Sequence, residues 1–219
     1  MKTAFVTGGS SDIGQEIIHR LRGGDWEVIA PSHKELDLSR LEELSGSLEK
    51  LTADVLTFDA VIHVAGVWHD AKTAYQKDLE DYSDEQIVTT MHVGLTSFMI
   101  ILARLLPKVS RDGAVIGISG TFEGSGASGW LPYYTSKRGL EDLLLGLSQD
   151  YPSGPQVYGV SPSDTVTKPY ERFFPQYIAD AQPAAAVADT VYDLLQRPSV
   201  PSGSVITVRS GKNSLGFHE

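Results

Sequence analysis

Tyr133 and Lys137, four residues apart, are the pair in this sequence best suited to acid–base chemistry. They lie near the start of a segment with helical spacing, so both side chains project from one face of a helix. A lysine ammonium close to a phenol stabilises the phenolate and lowers the tyrosine pKa, so that Tyr133 could exchange a proton near neutral pH. A tyrosine and a lysine that merely share the protein surface would show the same spacing. Tyr134 has an arginine four residues on and is expected to pack or to face solvent.

A glycine-rich stretch near the N-terminus is suited to binding a phosphate. Residues 2–6 form an apolar run typical of a buried strand, and apolar residues recur at helical spacing over residues 15–21. Residues 7–14, Thr-Gly-Gly-Ser-Ser-Asp-Ile-Gly, connect the two. Free N–H groups and the positive end of the helix dipole favour an anion there, most often the pyrophosphate of a dinucleotide. A tight turn without a ligand is the alternative. We interpret Asp12 as the helix N-cap, with its carboxylate directed away from the phosphates.

The composition is that of an ordinary globular chain. It has 219 residues, of which 41% are hydrophobic, and it contains no cysteine. One α/β domain over residues 1–219 is therefore expected, without a disulfide framework or a thiolate, and the histidines show no metal-ligand spacing. The net charge of −10 disfavours nucleic acid as a partner. We recognise no signal peptide and no membrane span, so we expect a cytoplasmic protein without a membrane partner.

Strand and helix patterns alternate along the chain, which predicts a single doubly wound parallel sheet, Rossmann-like, with helices on both faces. The predicted strands are residues 2–6, 26–30, 35–38, 60–66, 114–119, 156–160 and 205–208. The predicted helices are one starting close to Gly14, one capped by Ser39 and running to residue 51, and residues 84–106, 133–149 and 184–195. The helix over 84–106 is expected to loosen near Gly94 and to stop at Pro107.

Several motifs, in order, make the chain resemble the short-chain dehydrogenase/reductases along nearly its whole length. Residues 7–14 are similar to the family's cofactor loop Thr-Gly-x-x-x-Gly-x-Gly, with Asp12 in place of the middle glycine. The other similarities are His63–Gly66 with the Asn-Asn-Ala-Gly strand end, Tyr133 and Lys137 with the catalytic pair, Pro162, Ser163 and Thr167 with the Pro-Gly-x-x-x-Thr stretch, and Val205–Gly211 with the closing strand.

The resemblance implies hydride transfer between a nicotinamide and a carbonyl or alcohol. Tyr133 would protonate the carbonyl oxygen, and Lys137 would hold the nicotinamide ribose. A serine at the end of the preceding strand would bind the substrate oxygen. The family's serine lies thirteen residues before the tyrosine, and this chain has Gly120 there. Ser119 is therefore the first candidate for that role and Thr121 the second.

The residues after the second strand bear on the cofactor. Related NAD enzymes place an Asp or Glu there for the ribose 2′-hydroxyl, whereas Ser32, His33 and Lys34 favour a 2′-phosphate. We therefore expect NADP, with NAD as the alternative; ordinary turn residues would look the same. The expected cofactor-binding residues are Gly8, Ser10, Ser11, Asp12, Ile13, Gly14, Ser32, His33, Lys34, Asp37, Leu38, Val64, Ala65, Gly66, Tyr133, Lys137, Pro162, Ser163, Thr165 and Thr167.

Our leading hypothesis is an NADP-dependent oxidoreductase that acts on a small-molecule carbonyl or alcohol. The resemblance implies a homodimer or homotetramer that pairs through the helices at 84–106 and 133–149. A catalytically weak dinucleotide-binding sensor is the alternative, because glycines replace the family's serine and the asparagine expected at Gly94. Sugar-nucleotide chemistry is disfavoured, because no room remains for a C-terminal substrate domain.

Two segments are candidates for the substrate side of the site. Residues 165–183 carry an aromatic cluster and have the position of the family's substrate lid. This cluster suggests an apolar or aromatic substrate, although a flap without selectivity would look the same. Trp68 and His69 could line the substrate entrance or belong to a plain surface loop.

Overall fold

The structure, a computed structural model, describes residues 1–70, 72–73, 76–121, 128–196 and 199–209. Its strands are β1 (Lys2–Thr7), β2 (Trp26–Ile29), β3 (Phe58–His63), β4 (Val109–Ile118), β5 (Gln156–Pro162), β6 (Thr165–Val166), β7 (Gln182–Pro183) and β8 (Val205–Val208). Six of them form a parallel sheet in the order β2-β1-β3-β4-β5-β8, while β6 and β7 pair separately. The predicted doubly wound parallel fold is confirmed.

The helices cover both faces of this sheet. They are α1 (Asp12–Gly23), α2 (Leu41–Leu51), α3 (Asp84–Met91), α4 (Ser97–Leu105), α5 (Leu131–Asp150), α6 (Lys168–Phe173) and α7 (Ala184–Leu195), with 3-10 turns at Leu79–Asp81, Leu106–Lys108 and Pro175–Asp180. Alternate strand residues point to opposite faces, so Val6 packs with α1 and α7, whereas Phe5 packs with α2, α4 and α5. Two apolar cores result, and the carboxyl ends of the parallel strands lie along one edge between them.

The predicted strand at residues 35–38 is wrong. The segment is a turn, although Leu36 and Leu38 are buried in the core on the Phe5 face. Too few residues separate it from β2 for the crossover that a parallel partner needs, so its apolar side chains are buried without strand pairing. The predicted cap of the next helix is also wrong. Arg40 is the N-cap of α2, and Ser39 instead donates through its hydroxyl to Asp37 Oδ1 at 2.7 Å.

The predicted helix over residues 84–106 is interrupted near Gly94, as expected. A π-helical segment, His92–Thr96, separates α3 from α4, and the chain leaves the helix through Pro107. A Cβ on Gly94 would lie 2.7 Å from Ser136 Oγ, so the glycine lets α5 approach closely. The whole stretch Asp84–Lys108 is apolar and long enough to cross a membrane by length and composition alone. Here its residues Phe98 and Ile101 are buried against the sheet, as in a core helix.

Candidate active site

Lys137 connects the ends of two strands. Its Nζ donates hydrogen bonds to the carbonyl oxygens of Ala65, after β3, and Ile118, at the end of β4, at 3.1 and 2.9 Å. The side chain is only 2% exposed. A Cβ on Gly66 would lie 2.9 Å from the same nitrogen, so the ammonium occupies space that only glycine leaves open. The predicted residues at the ends of β3 and β4 and on α5 therefore do come together.

Tyr133 lies beside this ammonium, with the Lys137 Nζ 5.7 Å from the centre of its ring. Burial raises the pKa of Tyr133 to about 12 and lowers the pKa of Lys137 to about 8. The expectation that the lysine would bring the tyrosine pKa towards neutrality is therefore wrong for this structure. Desolvation penalises both charged forms more than their mutual attraction favours them. Tyr133 keeps its proton at neutral pH, which suits a proton donor.

We call four aromatic rings the aromatic enclosure: Trp68 and Trp130, which contact Tyr133, and Phe173 and Phe174, which contact Trp68. Trp68 lies edge-on to Tyr133 with 5.7 Å between ring centres, and Trp130 is stacked at 6.3 Å. Trp68 also contacts Phe174 and Phe173 at 5.8 and 6.5 Å. The loop after β3 and the segment that includes α6 thus meet over the tyrosine.

The other residue proposed for the substrate entrance lies elsewhere. The Nε2 atom of His69 is 3.2 Å from the Gln86 carbonyl and 3.1 Å from the Thr90 hydroxyl, both on α3. His63 is fully buried, with its Nδ1 atom 2.8 Å from the Thr7 hydroxyl. Burial, with a smaller contribution from the Lys137 charge, lowers the pKa of His63 to about 3, so its ring stays neutral.

The hydroxyl expected to bind the substrate oxygen has another partner. Ser119 is 3% exposed, and its Oγ donates to Glu141 Oε1 at 2.6 Å. The second candidate, Thr121, donates to the Ser161 carbonyl at 2.8 Å. Residues 122–127 lie outside the described part of the chain. The structure therefore directs neither proposed hydroxyl towards a substrate, because each already donates to an oxygen of the protein.

The glycine loop has the geometry that a dinucleotide requires. Gly8 has a φ of 71°, and a Cβ there would lie 2.6 Å from the Ala65 nitrogen. A Cβ on Gly14 would lie 2.3 Å from the Gly8 carbonyl oxygen. The loop is therefore drawn against β3 as only glycine permits, and the first-turn amides of Asp12 and Ile13 have no intrahelical acceptor. The residues present fit a bound diphosphate at the start of α1.

Ser11, not Asp12, is the N-cap of α1, so that prediction is wrong. The Ser11 hydroxyl accepts a hydrogen bond from the Gly14 amide at 3.1 Å and donates to the Gly8 carbonyl at 2.8 Å. The Asp12 carboxylate instead accepts from the Lys168 backbone N–H at 2.7 Å and lies 3.6 Å from the Lys168 ammonium. Asp12 therefore connects the glycine loop to the first residue of α6.

We expect Asp12→Ala to loosen α6. The variant removes a charge-assisted hydrogen bond and an ion pair, and with the Lys168 side chain 81% exposed we expect a loss of about 1 kcal/mol, or roughly five-fold faster amide exchange over residues 168–174. Hydrogen–deuterium exchange measures this. Asp189→Ala, which breaks the exposed Arg20 ion pair near the C-terminal end of α1, is the matched control. Equal exchange in wild type and Asp12→Ala would show that the contact does not hold α6.

The turn after β2 contains the residues predicted to bind a 2′-phosphate, but some of its hydrogen-bond donors already bind other groups of the protein. Ser32 donates to Glu35 Oε2 through both its backbone N–H and its hydroxyl, each at 2.8 Å. These hydrogen bonds lower the pKa of Glu35, so its carboxylate is charged at neutral pH. Lys34 is exposed and forms no ion pair within the described ranges. Of the three predicted residues, Lys34 is the cation most available to a phosphate.

Asp37 and Leu38, both predicted to bind the cofactor, make contacts within the protein. Leu38 is buried, and Asp37 accepts from Ser39 and lies 3.5 Å from His33 Nε2. Burial of Asp37 raises its pKa. The Ser39 hydrogen bonds and the nearby His33 and Arg40 together lower the pKa by more than burial raises it, so the net shift is downwards. Its carboxylate is therefore held within the turn.

A surface cavity that sequence reasoning missed adjoins the glycine loop. Its volume is about 390 Å³, and it is lined by Gly9, Gln15, Ile18, His19, Arg22 and Ala30. Gln15, Ile18, His19 and Arg22 recur at helical spacing, so the pattern that predicted α1 also placed them on one face. Two cationic residue types, His19 and Arg22, thus border the space between the loop and the end of β2.

The segment after β5 is held against β8. The Ser163 amide donates to the Val208 carbonyl at 2.8 Å, and the Thr165 hydroxyl donates to the Ser163 carbonyl at 2.7 Å. The Thr167 hydroxyl accepts from the Tyr170 amide and caps α6. Pro162 ends β5 beside these residues, while residues 210 and 211 of the closing motif lie outside the described ranges. Within those ranges no cluster of three metal-ligating side chains occurs.

Comparisons with known proteins give a family match and several relatives. A family profile described as enoyl-(acyl carrier protein) reductase matches residues 19–192. A 3-dehydrosphinganine reductase of Arabidopsis thaliana is 34% identical over 187 residues, which cover 77% of this chain and 56% of that protein. The 3-oxoacyl-(acyl-carrier-protein) reductase FabG of Chlamydia trachomatis is 26% identical over 173 residues, or 68% of this chain and 67% of that one. The chain thus spans little more than half the length of the Arabidopsis relative.

Solved structures share the fold. A 3-ketoacyl-(acyl-carrier-protein) reductase from Brucella melitensis, complexed with NADH, superposes with a TM-score of 0.83 at 15% identity, over 97% of this chain and 98% of that one. A small-chain dehydrogenase in complex with NADPH gives a TM-score of 0.81 at 18% identity, over 96% and 97%.

Proposed function

The chain belongs to the short-chain dehydrogenase/reductase family, and from this premise we propose that it reduces the carbonyl group of a small molecule with NADPH. The observation that carries the proposal is the protonated Tyr133 beside the buried Lys137, at the strand ends that also hold the glycine loop. With a pKa of about 12, Tyr133 is a proton donor across the physiological range and a poor base. Carbonyl reduction needs the protonated hydroxyl and alcohol oxidation needs the phenolate, so this protonation state favours reduction.

The residues divide the reaction as follows. A bound NADPH would supply the hydride for the carbonyl carbon. Tyr133 donates its hydroxyl proton to the carbonyl oxygen, so that the product is an alcohol, and it regains a proton from solvent. Lys137, fixed by the Ala65 and Ile118 carbonyls, holds the ribose hydroxyls. The amides of the first turn of α1 bind the diphosphate.

The aromatic enclosure favours an apolar carbonyl compound as substrate. Trp68 and Trp130 lie against Tyr133, and Phe174 lies against Trp68, so the tyrosine borders on aromatic surface. Two of the relatives are named as reductases of 3-dehydrosphinganine and of a 3-oxoacyl group on acyl carrier protein. A ketone on an apolar chain or ring is therefore the substrate class to screen first.

Titration with NADPH and with NADH, followed by energy transfer from tryptophan, tests the cofactor assignment. We expect NADPH to bind more tightly, because Lys34 is available to the 2′-phosphate. Lys34→Ala should weaken NADPH about ten-fold, or about 1.4 kcal/mol, and NADH less than two-fold. Lys50→Ala, an exposed lysine in the last turn of α2, is the control. Equal losses for both cofactors would reject Lys34 as the 2′-phosphate residue, and binding of neither would reject the proposed function.

Exposed apolar side chains support the expected homo-oligomer. Val88 on α3, Met99 on α4 and Leu145 on α5 are 46–48% exposed. They lie on the helices that the family resemblance assigns to subunit pairing, and their burial in an interface would remove apolar surface from water. Sedimentation equilibrium would distinguish a monomer from a dimer or tetramer.

A further inference from the structure

Carbonyl reduction places negative charge on the substrate oxygen, and an enzyme accelerates it with donors aimed at that oxygen. Position 120, where the family has its serine, is a glycine in this chain. The flanking hydroxyls of Ser119 and Thr121 donate to Glu141 and Ser161. Of the residues predicted for this role, only Tyr133 is left to act on the oxygen, so a second donor must come from elsewhere.

The indole of Trp68 has a buried N–H without a hydrogen-bond partner among the described residues. A buried donor that is left unpaired destabilises the folded protein, so its retention calls for a reason. The ring lies edge-on to Tyr133 with 5.7 Å between centres. Phe173 and Phe174 also contact the indole, with 6.5 and 5.8 Å between ring centres.

We propose that the Trp68 N–H is the second hydrogen-bond donor to the substrate carbonyl oxygen, in place of the serine hydroxyl that is absent at position 120. The inference rests on the proposed reduction. Tyr133 transfers its proton to the oxygen, whereas Trp68 donates a hydrogen bond and keeps its proton, because an indole N–H is a donor only. The substrate oxygen then accepts a hydrogen bond from each of the two donors. Its apolar remainder packs against the aromatic enclosure.

Trp68→Phe tests this role, because it keeps an aromatic ring and removes the N–H. We expect kcat for the best ketone of the screen to fall about 100-fold, the loss found when one oxyanion donor is removed. The dissociation constant of NADPH, measured by calorimetry, should change less than two-fold. A purely structural role would raise KM or lower the melting temperature and leave kcat nearly unchanged.

Gly120→Ser restores the family's hydroxyl and gives a rescue test. Gly120 is not among the described glycines with a positive φ, so the backbone conformation does not exclude serine there. In the Trp68→Phe background the serine should recover at least ten-fold in kcat, and in the wild type it should have little effect. A Trp68→Phe enzyme whose kcat stays within three-fold of wild type would overturn the proposal and leave the proposed function intact. A wild-type protein that turns over no carbonyl compound would overturn both.

A spectroscopic readout separates the donor role from packing. The indole ¹⁵N–H resonance of Trp68, assigned by its loss in Trp68→Phe, should move downfield when NADP⁺ and the substrate ketone are added together. The Trp130 indole is the internal control and should move much less. An unchanged Trp68 resonance in the ternary complex would reject the hydrogen bond even if turnover is impaired.

Discussion

Tyr133→Phe should reduce kcat for carbonyl reduction by about a thousand-fold and leave NADPH affinity within two-fold. A positioned acid contributes 10²–10⁴-fold to such a proton transfer, and the variant loses the hydroxyl without losing the ring. Because the pKa of Tyr133 is high, its hydroxyl is almost fully protonated in the wild-type enzyme below about pH 10 and can act as the acid. Steady-state oxidation of NADPH, followed by absorbance, measures the loss, and calorimetry measures cofactor affinity.

Tyr134→Phe is the matched control, because the two tyrosines are adjacent on α5 and only Tyr133 has a lysine four residues on. We expect its kcat to stay within two-fold of wild type. A Tyr133→Phe enzyme that retains a tenth or more of the activity would show that the proton comes from another group. The reaction would then lack its assigned acid, although the fold and the cofactor loop would be unaffected.

Most elements followed directly from hydrophobic periodicity. The bounds of α7 and β8 were predicted to the residue, because both have strong apolar patterns with clear stops. Residues 35–38 show why this signal fails. Leu36 and Leu38 alternate with polar residues as in a strand, but a turn that buries two leucines has the same pattern. Only the length of the connection to β2 distinguishes them.

Sequence motifs located the site, but the pKa values of its residues depend on segments that are distant in the sequence. The spacing of Tyr133 and Lys137 predicted their proximity, but not the sign of the tyrosine pKa shift. That sign comes from burial, and Trp68, which contacts Tyr133, lies in a segment far away in the sequence. Motif spacing places a residue at the right strand end without fixing where its hydroxyl points. Ser119 donates to Glu141, twenty-two residues later, and no local pattern indicates that contact.

Lys137→Met should abolish most activity and, independently, change how stability depends on pH. We expect kcat/KM to fall about a thousand-fold, because the variant removes the cation that holds the ribose beside Tyr133. In the folded protein the Lys137 pKa is about 8, against an ordinary value of 10.5. Between these values the unfolded chain binds more protons than the folded one, so the free energy of unfolding rises with pH. Wild type should therefore gain about 2 kcal/mol between pH 7 and 9.5.

Urea unfolding at pH 7 and at pH 9.5 measures this gain, and Lys137→Met should lose it because methionine does not titrate. Above pH 10 the free energy of unfolding falls again. The pKa of Tyr133 is higher in the folded protein than in the unfolded chain, so the phenolate is less stable in the folded state. Lys50→Met, at an exposed position in α2, controls for the loss of a lysine and should keep the wild-type slope. An identical slope in Lys137→Met would mean that another group titrates. In that case burial would not destabilise the charged form of Lys137, and the lowered pKa assigned to this lysine would be wrong.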